Sequence, residues 1–449
     1  MNFPATLFAG QRFAVVGLGR NGLPAAHALS AMGADVTVWD DTQAAREQAA
    51  AQGLRVAEPA MDGLAALVLS PGIPHVLPNA HPMATMAITA GVPILSDADL
   101  LFRAVRAAGS RARFAGITGT NGKSTTTALL AHILATAGIP VAAGGNLGTA
   151  SLALPRLPDD GVYVLEMSSY MLERLATLRF DVAVMLNLSP DHLDRHGGMA
   201  GYARAKRAIF DRQTAADTAV LGADDAESRA MFASLAGAPA TRISISAAQG
   251  DGGVLRDSHG IICHLAEARA LPGAHNAQNA AAAAAMATAL GVPRGKIADG
   301  ILSYPGLPHR LEVVGRVRGV TFINDSKATN ADSAERALAC YPRVVWIAGG
   351  MAKSGGIAPL APWFDRIAAA FLIGRDSALL AATLAEHGVK HSEVGTLDMA
   401  TEAAAQAAFS GAAPVVLLSP ACASWDQFTG FDARGDRFRT LVAALQEAV

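Results

Sequence analysis

The sequence predicts an α/β protein of three domains, each a parallel sheet wrapped by helices. Three observations carry this. Short β-rich runs alternate with helical patterns along nearly the whole chain, which is how strands joined by crossover helices read. Glycine-rich loops follow two of those runs and open helices, at residues 17–22 and 119–122. At roughly 100–200 residues per domain, a chain of 449 residues has room for two to four.

Taken in order, RFAVVGLG is a strand, a helix runs through PAAHALSAMG, DVTVWD is a strand, AAREQAAAQG a helix and ALVLSPG a strand, a βαβαβ unit. A second unit opens at RFAGITGTNGKSTTTALLAHILATAG and continues through GVYVLEMSS, DVAVMLNLS and TAVLGADD. The six alanines Ala280–Ala285 read as a close-packed helix, since alanine has the highest helix propensity. PGLPHRLE, with two prolines and a glycine, reads as an inter-domain linker. After it GVTFINDS, RVVWIAGG, AAFLIGR and PVVLLSPA, each followed by a helical pattern, make a third α/β domain. The division is a Rossmann-like N-terminal domain at 1–105, a central P-loop ATPase-like domain at 106–308 and a Rossmann-like C-terminal domain at 309–449.

Composition excludes several classes. Apolar residues at 51% against 16% charged are too many for a disordered chain. A formal charge of −2 gives no basic field for nucleic acid or an anionic membrane, so an anionic ligand must be held by local groups. Cys263, Cys340 and Cys422 are far apart, against a disulfide framework or zinc site. The N-terminus lacks a basic n-region and a long apolar h-region, and no 18-residue stretch is free of charge and turn signals, so a cytoplasmic protein is expected. There are six lysines (Lys123, Lys206, Lys296, Lys327, Lys353, Lys390) beside 30 arginines. Arginine is thus expected wherever a surface charge suffices, and a lysine, the only one of the two that readily becomes a neutral nucleophile, is informative.

The strongest chemical signal is GITGTNGKSTTT, residues 116–127. Successive backbone N–H groups before a helix N-terminus make an anion cradle, Lys123 can reach β and γ phosphates and Ser124 can ligate Mg²⁺. Gly119, Thr120, Asn121, Gly122, Lys123, Ser124 and Thr125 are therefore the expected ATP loop. The loop is a variant, because Ile117 stands where the usual pattern has glycine and Gly116 lies one residue earlier. Gly17, Gly19 and Gly22 with Asp40 form a GxGxxG fingerprint, which fits a dinucleotide or another diphosphate ligand, and SPGIP at 70–74 adds a backbone loop. Glu166, Asn187, Asp191, His192 and Asp194 stand near strand ends, where ligands of open α/β sheets gather, and Glu166 with Ser124 and phosphate oxygens would suit Mg²⁺.

GTNGKST, LEMSSYMLE, NLSPDHLDRH followed by GYARAKRAIF, GAHNAQN, GLPHRLE, INDSKATN and SPACASWDQF, in this order, resemble the Mur ligase family over nearly the whole chain. The resemblance implies a monomeric three-domain enzyme that joins D-glutamate to UDP-N-acetylmuramoyl-L-alanine while ATP is cleaved to ADP and phosphate. It implies two Mg²⁺ ions, with Ser124 and Glu166 at one and His192 at the second, and a CO₂-derived carbamate on Lys206 that bridges them. It adds Asn276, Asn279, Arg310 and Asp325 to the ATP site, and Asn146 to the substrate side near the reacting carboxyl. Gly19, Arg20, Asn21, Gly22, Thr42, Ser70 and Gly72, with Asn146 and His192, would hold the UDP precursor. Lys327, Thr329, Lys353, Ser424 and Phe431 would surround the amino acid, while Phe428 fits either that site or the core. Two rival readings are a nicotinamide-dependent dehydrogenase, built on GxGxxG and Asp40, and a nucleotide-gated switch that closes at PGLPHR. The first leaves Lys123, Glu166, His192 and Lys206 without a purpose; the second predicts slow ATP turnover indifferent to any amino acid.

Overall fold

A computed structural model of the chain describes residues 2–76, 79–146, 148–268, 270–353 and 355–447. Residue 1 and residues 448–449, the outer ends of the first and third expected domains, lie outside it. The chain forms two compact units, Met1–Ala268 with Asn276–Tyr304, and Arg269–His275 with Pro305–Val449.

The first unit holds two parallel sheets. One has β1 (Arg12–Val16), β2 (Asp35–Trp39), β3 (Arg55–Val56), β4 (Ala66–Leu69) and β5 (Ile94–Leu95) in the order β3-β2-β1-β4-β5. The other has β6 (Arg113–Thr118), β7 (Val141–Gly145), β8 (Val162–Glu166), β9 (Val182–Met185), β10 (Thr218–Gly222) and β11 (Thr241–Ile245) in the order β11-β10-β9-β6-β8-β7. A hairpin, β12 (Val254–Asp257) and β13 (Gly260–His264), follows. The two sheets share one unit because one apolar cluster runs through both, from Phe8 and Val15 by Leu101 and Phe114 to Phe180 and Leu221.

The second unit carries β14 (Glu312–Val317), β15 (Val320–Asn324), β16 (Val344–Gly349), β17 (Ile367–Ile373), β18 (His391–Gly395) and β19 (Val415–Leu418) in the order β14-β15-β19-β16-β17-β18. β14 runs antiparallel to β15; the other pairs are parallel. The expected linker is part of this unit: Leu307 and Arg310 form a β-bridge, Leu311 is buried, and Glu312 starts β14. Its prolines and glycine shape a folded turn in which His309 and Leu311 take φ of 61° and 46°.

Central strands buried on both faces have continuous apolar sequences, as in VYVLE of β8 and VVWIAG of β16. The alanine run lies in the helix Ala274–Ala289, with Ala280–Ala284 buried. β1 sits between β2 and β4, and β6 between β9 and β8. The loops after β1 and β6 therefore leave the sheets where strand order reverses, which opens a crevice at the strands' carboxyl ends. Among the described residues no helix is long and apolar enough to cross a membrane.

Candidate active site

The loop after β6 is rigidly built. Gly119 has φ 149° and Gly122 φ 83°, and a Cβ on Gly122 would stand 2.2 Å from Asn279 Oδ1, so only glycine fits there. Thr120 N donates to Asn187 O at 2.9 Å and Asn121 N to Asn187 Oδ1 at 2.9 Å. Asn187 Nδ2 donates in turn to Asn121 O and to Gln278 Oε1. Asn187, expected among the metal-facing residues, is thus a clamp on the loop, its amide consumed on both sides. Asn279 Oδ1 accepts from Thr126 Oγ1 and its Nδ2 donates to Asn276 Oδ1, so both asparagines brace the start of the helix Lys123–Thr136 from behind. The early glycine has a packing cause: Gly116 lies inside β6, where a Cβ would meet the Phe180 ring at 2.7 Å.

Two lysines converge on this loop. Lys123 Nζ donates to Gly119 O at 2.9 Å and Thr120 O at 2.8 Å. Lys206, from the helix Met199–Arg207, donates to the same Gly119 O at 2.9 Å and to Thr118 Oγ1 at 3.4 Å, and lies 4.7 Å from the centre of the Tyr202 ring. Lys206 is 2% exposed. Burial drives its pKa well below the ordinary lysine value, the Lys123 charge lowers it further, and Asp191 and Glu166 oppose without reversing the shift.

At the end of β8, Glu166 is 2% exposed. Its Oε1 accepts from Asn146 Nδ2 at 2.7 Å, while Oε2 is buried with no hydrogen-bond partner among the described residues. A buried carboxylate oxygen without a donor is costly in a finished core. It suits a site completed by a cation, and oxygen is the donor type Mg²⁺ takes. Among the described residues no three His, Cys, Asp or Glu side chains cluster as a metal site. The groups here that could donate to Mg²⁺ are Glu166 and the Ser124 hydroxyl, together with phosphate oxygens of a bound nucleotide. His192 stands on the turn after β9 at φ 51°, its side chain 48% exposed, 3.4 Å from Asp191 and with its ring 5.2 Å from that of Tyr170.

The loop after β1 borders a second cavity of about 460 Å³ lined by Gly17, Gly19, Arg20, Asn21, Asp40, Thr42, Ser70, Gly72 and Asn146, among others. Every residue expected around the UDP precursor lines it except Gly22 and His192. Gly22 has a steric task, since a Cβ there would be 1.8 Å from Gly17 O. Burial raises the Asp40 pKa, but the amides of Leu18 and Thr42, 2.7 and 2.9 Å from its oxygens, outweigh this and hold it below the ordinary value. Asp40 is therefore a brace for the glycine loop.

In the second unit the expected amino-acid residues Lys327, Thr329, Lys353 and Ser424 lie on loops that leave β15, β16 and β19, and Phe431 is the first residue of the helix Phe431–Glu447. Lys327 Nζ sits 5.5 Å from the centre of the Phe431 ring, Thr329 N donates to Lys327 O, Ser424 is buried and Lys353 is exposed. Phe428 packs on the apolar cluster of Phe322 and Phe438, as a core aromatic would. Arg434 was invisible to sequence reasoning, which assigns arginine to surfaces. It is 1% exposed and donates to Ser326 Oγ and O, Gly349 O and Cys422 O, joining the same three loops. Burial pushes the Asp325 carboxyl up to about 7 although Ser419 Oγ, Arg310 and Leu311 N favour its charged form. Arg310 Nε is buried without a hydrogen-bond partner.

Fold and site together define an α/β enzyme that handles a nucleotide's phosphates beside a second, separate nucleotide-sized cavity. Residues 117–287 match the Mur ligase middle domain, 309–422 the Mur ligase, glutamate ligase domain, and 12–92 the NAD binding domain of 6-phosphogluconate dehydrogenase. The chain is 51% identical to the UDP-N-acetylmuramoylalanine--D-glutamate ligase of Paramagnetospirillum magneticum, covering 98% of both chains. It is 48% identical to the enzyme of the same name from Caulobacter vibrioides, again over 98% of each. Solved structures with this fold include MurF from Acinetobacter baumannii (TM-score 0.60, 19% identity, 100% of this chain and 93% of that one). UDP-N-acetylmuramate-alanine ligase MurC from Thermotoga maritima is another (TM-score 0.59, 16% identity, 98% and 100%). The chain belongs to the Mur ligase family, and the dehydrogenase and switch readings give way to that membership.

Proposed function

We propose that the protein is an ATP-dependent ligase that forms the amide bond between UDP-N-acetylmuramoyl-L-alanine and D-glutamate in peptidoglycan precursor synthesis. The observation that carries this reading is the meeting of Lys123, the buried Lys206 and the bare Oε2 of Glu166 around one phosphate loop. A carboxylate does not condense with an amine unaided; transfer of the γ-phosphoryl of ATP to the alanine carboxylate gives an acyl phosphate, from which phosphate leaves when the amine of glutamate attacks. Such a transfer asks mainly for positioning and charge neutralisation. The loop amides and Lys123 would hold the phosphates, Asn146 and Glu166 would order the acceptor side, and burial favours the neutral form of Lys206, from which a carbamate forms. Two Mg²⁺ ions at Ser124, Glu166, His192 and a carbamylated Lys206 would supply the remaining positive charge.

On this reading residues 1–105 bind the UDP precursor, 106–308 bind ATP with help from Arg310 and Asp325, and 309–449 bind the amino acid through Lys327, Thr329, Lys353, Ser424 and Phe431. The protein would act as a cytoplasmic monomer on small molecules alone. Incubation with Mg²⁺, ATP, UDP-N-acetylmuramoyl-L-alanine and each candidate amino acid, followed by mass analysis of the nucleotide, tests the reading. A nucleotide product heavier by one glutamate residue with D-glutamate is expected; an unchanged nucleotide with every amino acid refutes it.

A further inference from the structure

Arg174 is a second arginine hidden in the interior, 3% exposed, on the segment that follows β8 and its Glu166. Among the described residues its guanidinium makes no hydrogen bond to a carboxylate. It is spent on the backbone beyond β4: Nη1 donates to Leu69 O at 2.7 Å and Ser70 O at 2.9 Å, Nη2 to Ile73 O, and Nε to His75 Nδ1 at 3.2 Å. Arg195 reaches the same His75 Nδ1 at 3.3 Å while it pairs with Glu173. The segment so held lines the cavity through Ser70, Pro71, Gly72 and Ile73, and Ser70 Oγ locks it to the glycine loop by donating to Gly17 O at 2.6 Å. The Arg174 backbone is itself fixed, its carbonyl accepting from Ser96 N.

We propose that Arg174 is a positioning residue for the nucleotide precursor: it sets the 69–75 backbone in register with the strand end that carries Glu166. This rests on the reading that the cavity beside Gly19 seats the precursor. A planar group with five donors can satisfy three carbonyls and an imidazole at once; a lysine can reach only some of them.

The test is steady-state kinetics of the full chain with the precursor and ATP varied separately, alongside melting temperatures. Arg174→Met is expected to raise the precursor KM at least about tenfold while kcat and the ATP KM stay within about threefold, a loss of binding and not of chemistry. Arg174→Lys should recover part of that loss. A residue that only stabilises the fold would lower the melting temperature and leave the KM split unmoved. A precursor KM within about twofold of wild type in Arg174→Met, or in Arg174→Lys should the methionine variant not fold, overturns the proposal. Gly19→Leu separates this from the reading beneath it, because a Cβ at Gly19 meets nothing within 4 Å and the side chain would fill the cavity. Precursor binding that survives Gly19→Leu removes the precursor from this cavity; binding lost in Gly19→Leu but intact in Arg174→Met removes only the role of Arg174.

Discussion

Lys206 and Lys123 share the carbonyl of Gly119, and one of the two ammonium groups is buried where charge is expensive. The buried one yields its proton most readily, and a neutral amine is the nucleophile that adds to CO₂. Lys206→Ala should be nearly inactive and partly rescued by a small carboxylate in the buffer, whereas Lys206→Arg, which cannot be deprotonated, should not be rescued. Full activity of the arginine variant in a phosphate-release assay would reduce Lys206 to a bystander. For Lys123, proposed to neutralise the phosphates, replacement by alanine should cost about 10²–10³ in kcat with precursor affinity unchanged, as loss of one preorganised electrostatic contact does. Asp325 makes a prediction about stability. Its folded pKa of about 7 lies above the unfolded value of 3.8, so the folded chain binds more protons between those two values. Stability associated with Asp325 is thus complete below about pH 4 and declines as pH rises toward 7. Asp325→Asn should flatten that slope in melting curves taken from pH 5 to 8; an unchanged slope would assign it to other groups.

The element at the centre of the proposed site is the turn from β6 into its helix, and its geometry is partly legible in the sequence. Gly122, Lys123 and Ser124 announce it, because a left-handed residue, a cation and a hydroxyl in succession have few other uses. Its supports were not legible. Asn187 lies 66 residues from Asn121 and Asn279 153 residues from Thr126, while Gln278 holds Asn187 from 91 residues away, contacts that no local pattern encodes. Edge strands such as β3, β11 and β18 escaped for a related reason, since residues that bury little surface need no apolar run. Arg174 and Arg434 escaped because an arginine bonded to backbone carbonyls looks, in sequence, like one in water. The loop predicts its own sensitivity: Gly122→Ala should destabilise the chain by about 1–2 kcal/mol from the left-handed backbone alone, and more from the contact with Asn279 Oδ1. Asn279→Gly in the same chain should return the second part but not the first, as chemical denaturation of both variants and the double variant would show.

At the scale of the whole molecule, the two sheets of the first unit each present a glycine loop at their point of strand reversal, and the second unit brings three loops together through Arg434. On the proposed reading these supply a precursor cavity, a phosphate loop and an amino-acid surface, one ligand for each sheet. On the last of these Lys353 is exposed, as a cation awaiting an acidic side chain would be. Lys353→Ala should raise the KM for D-glutamate at least about tenfold with the other two substrates little affected, since removing one partner of a charge pair that the bound amino acid closes off from water costs about 3–5 kcal/mol. The account as a whole turns on whether ATP activates the precursor's carboxylate. Precursor labelled with ¹⁸O in the alanine carboxylate, turned over with ATP and D-glutamate, decides this by mass analysis of the released phosphate. One labelled oxygen in each phosphate is the predicted result, because the bond that breaks when the amide forms is the one between the carbonyl carbon and that oxygen; phosphate free of label would mean that ATP is hydrolysed without activating the carboxylate, and would contradict the account.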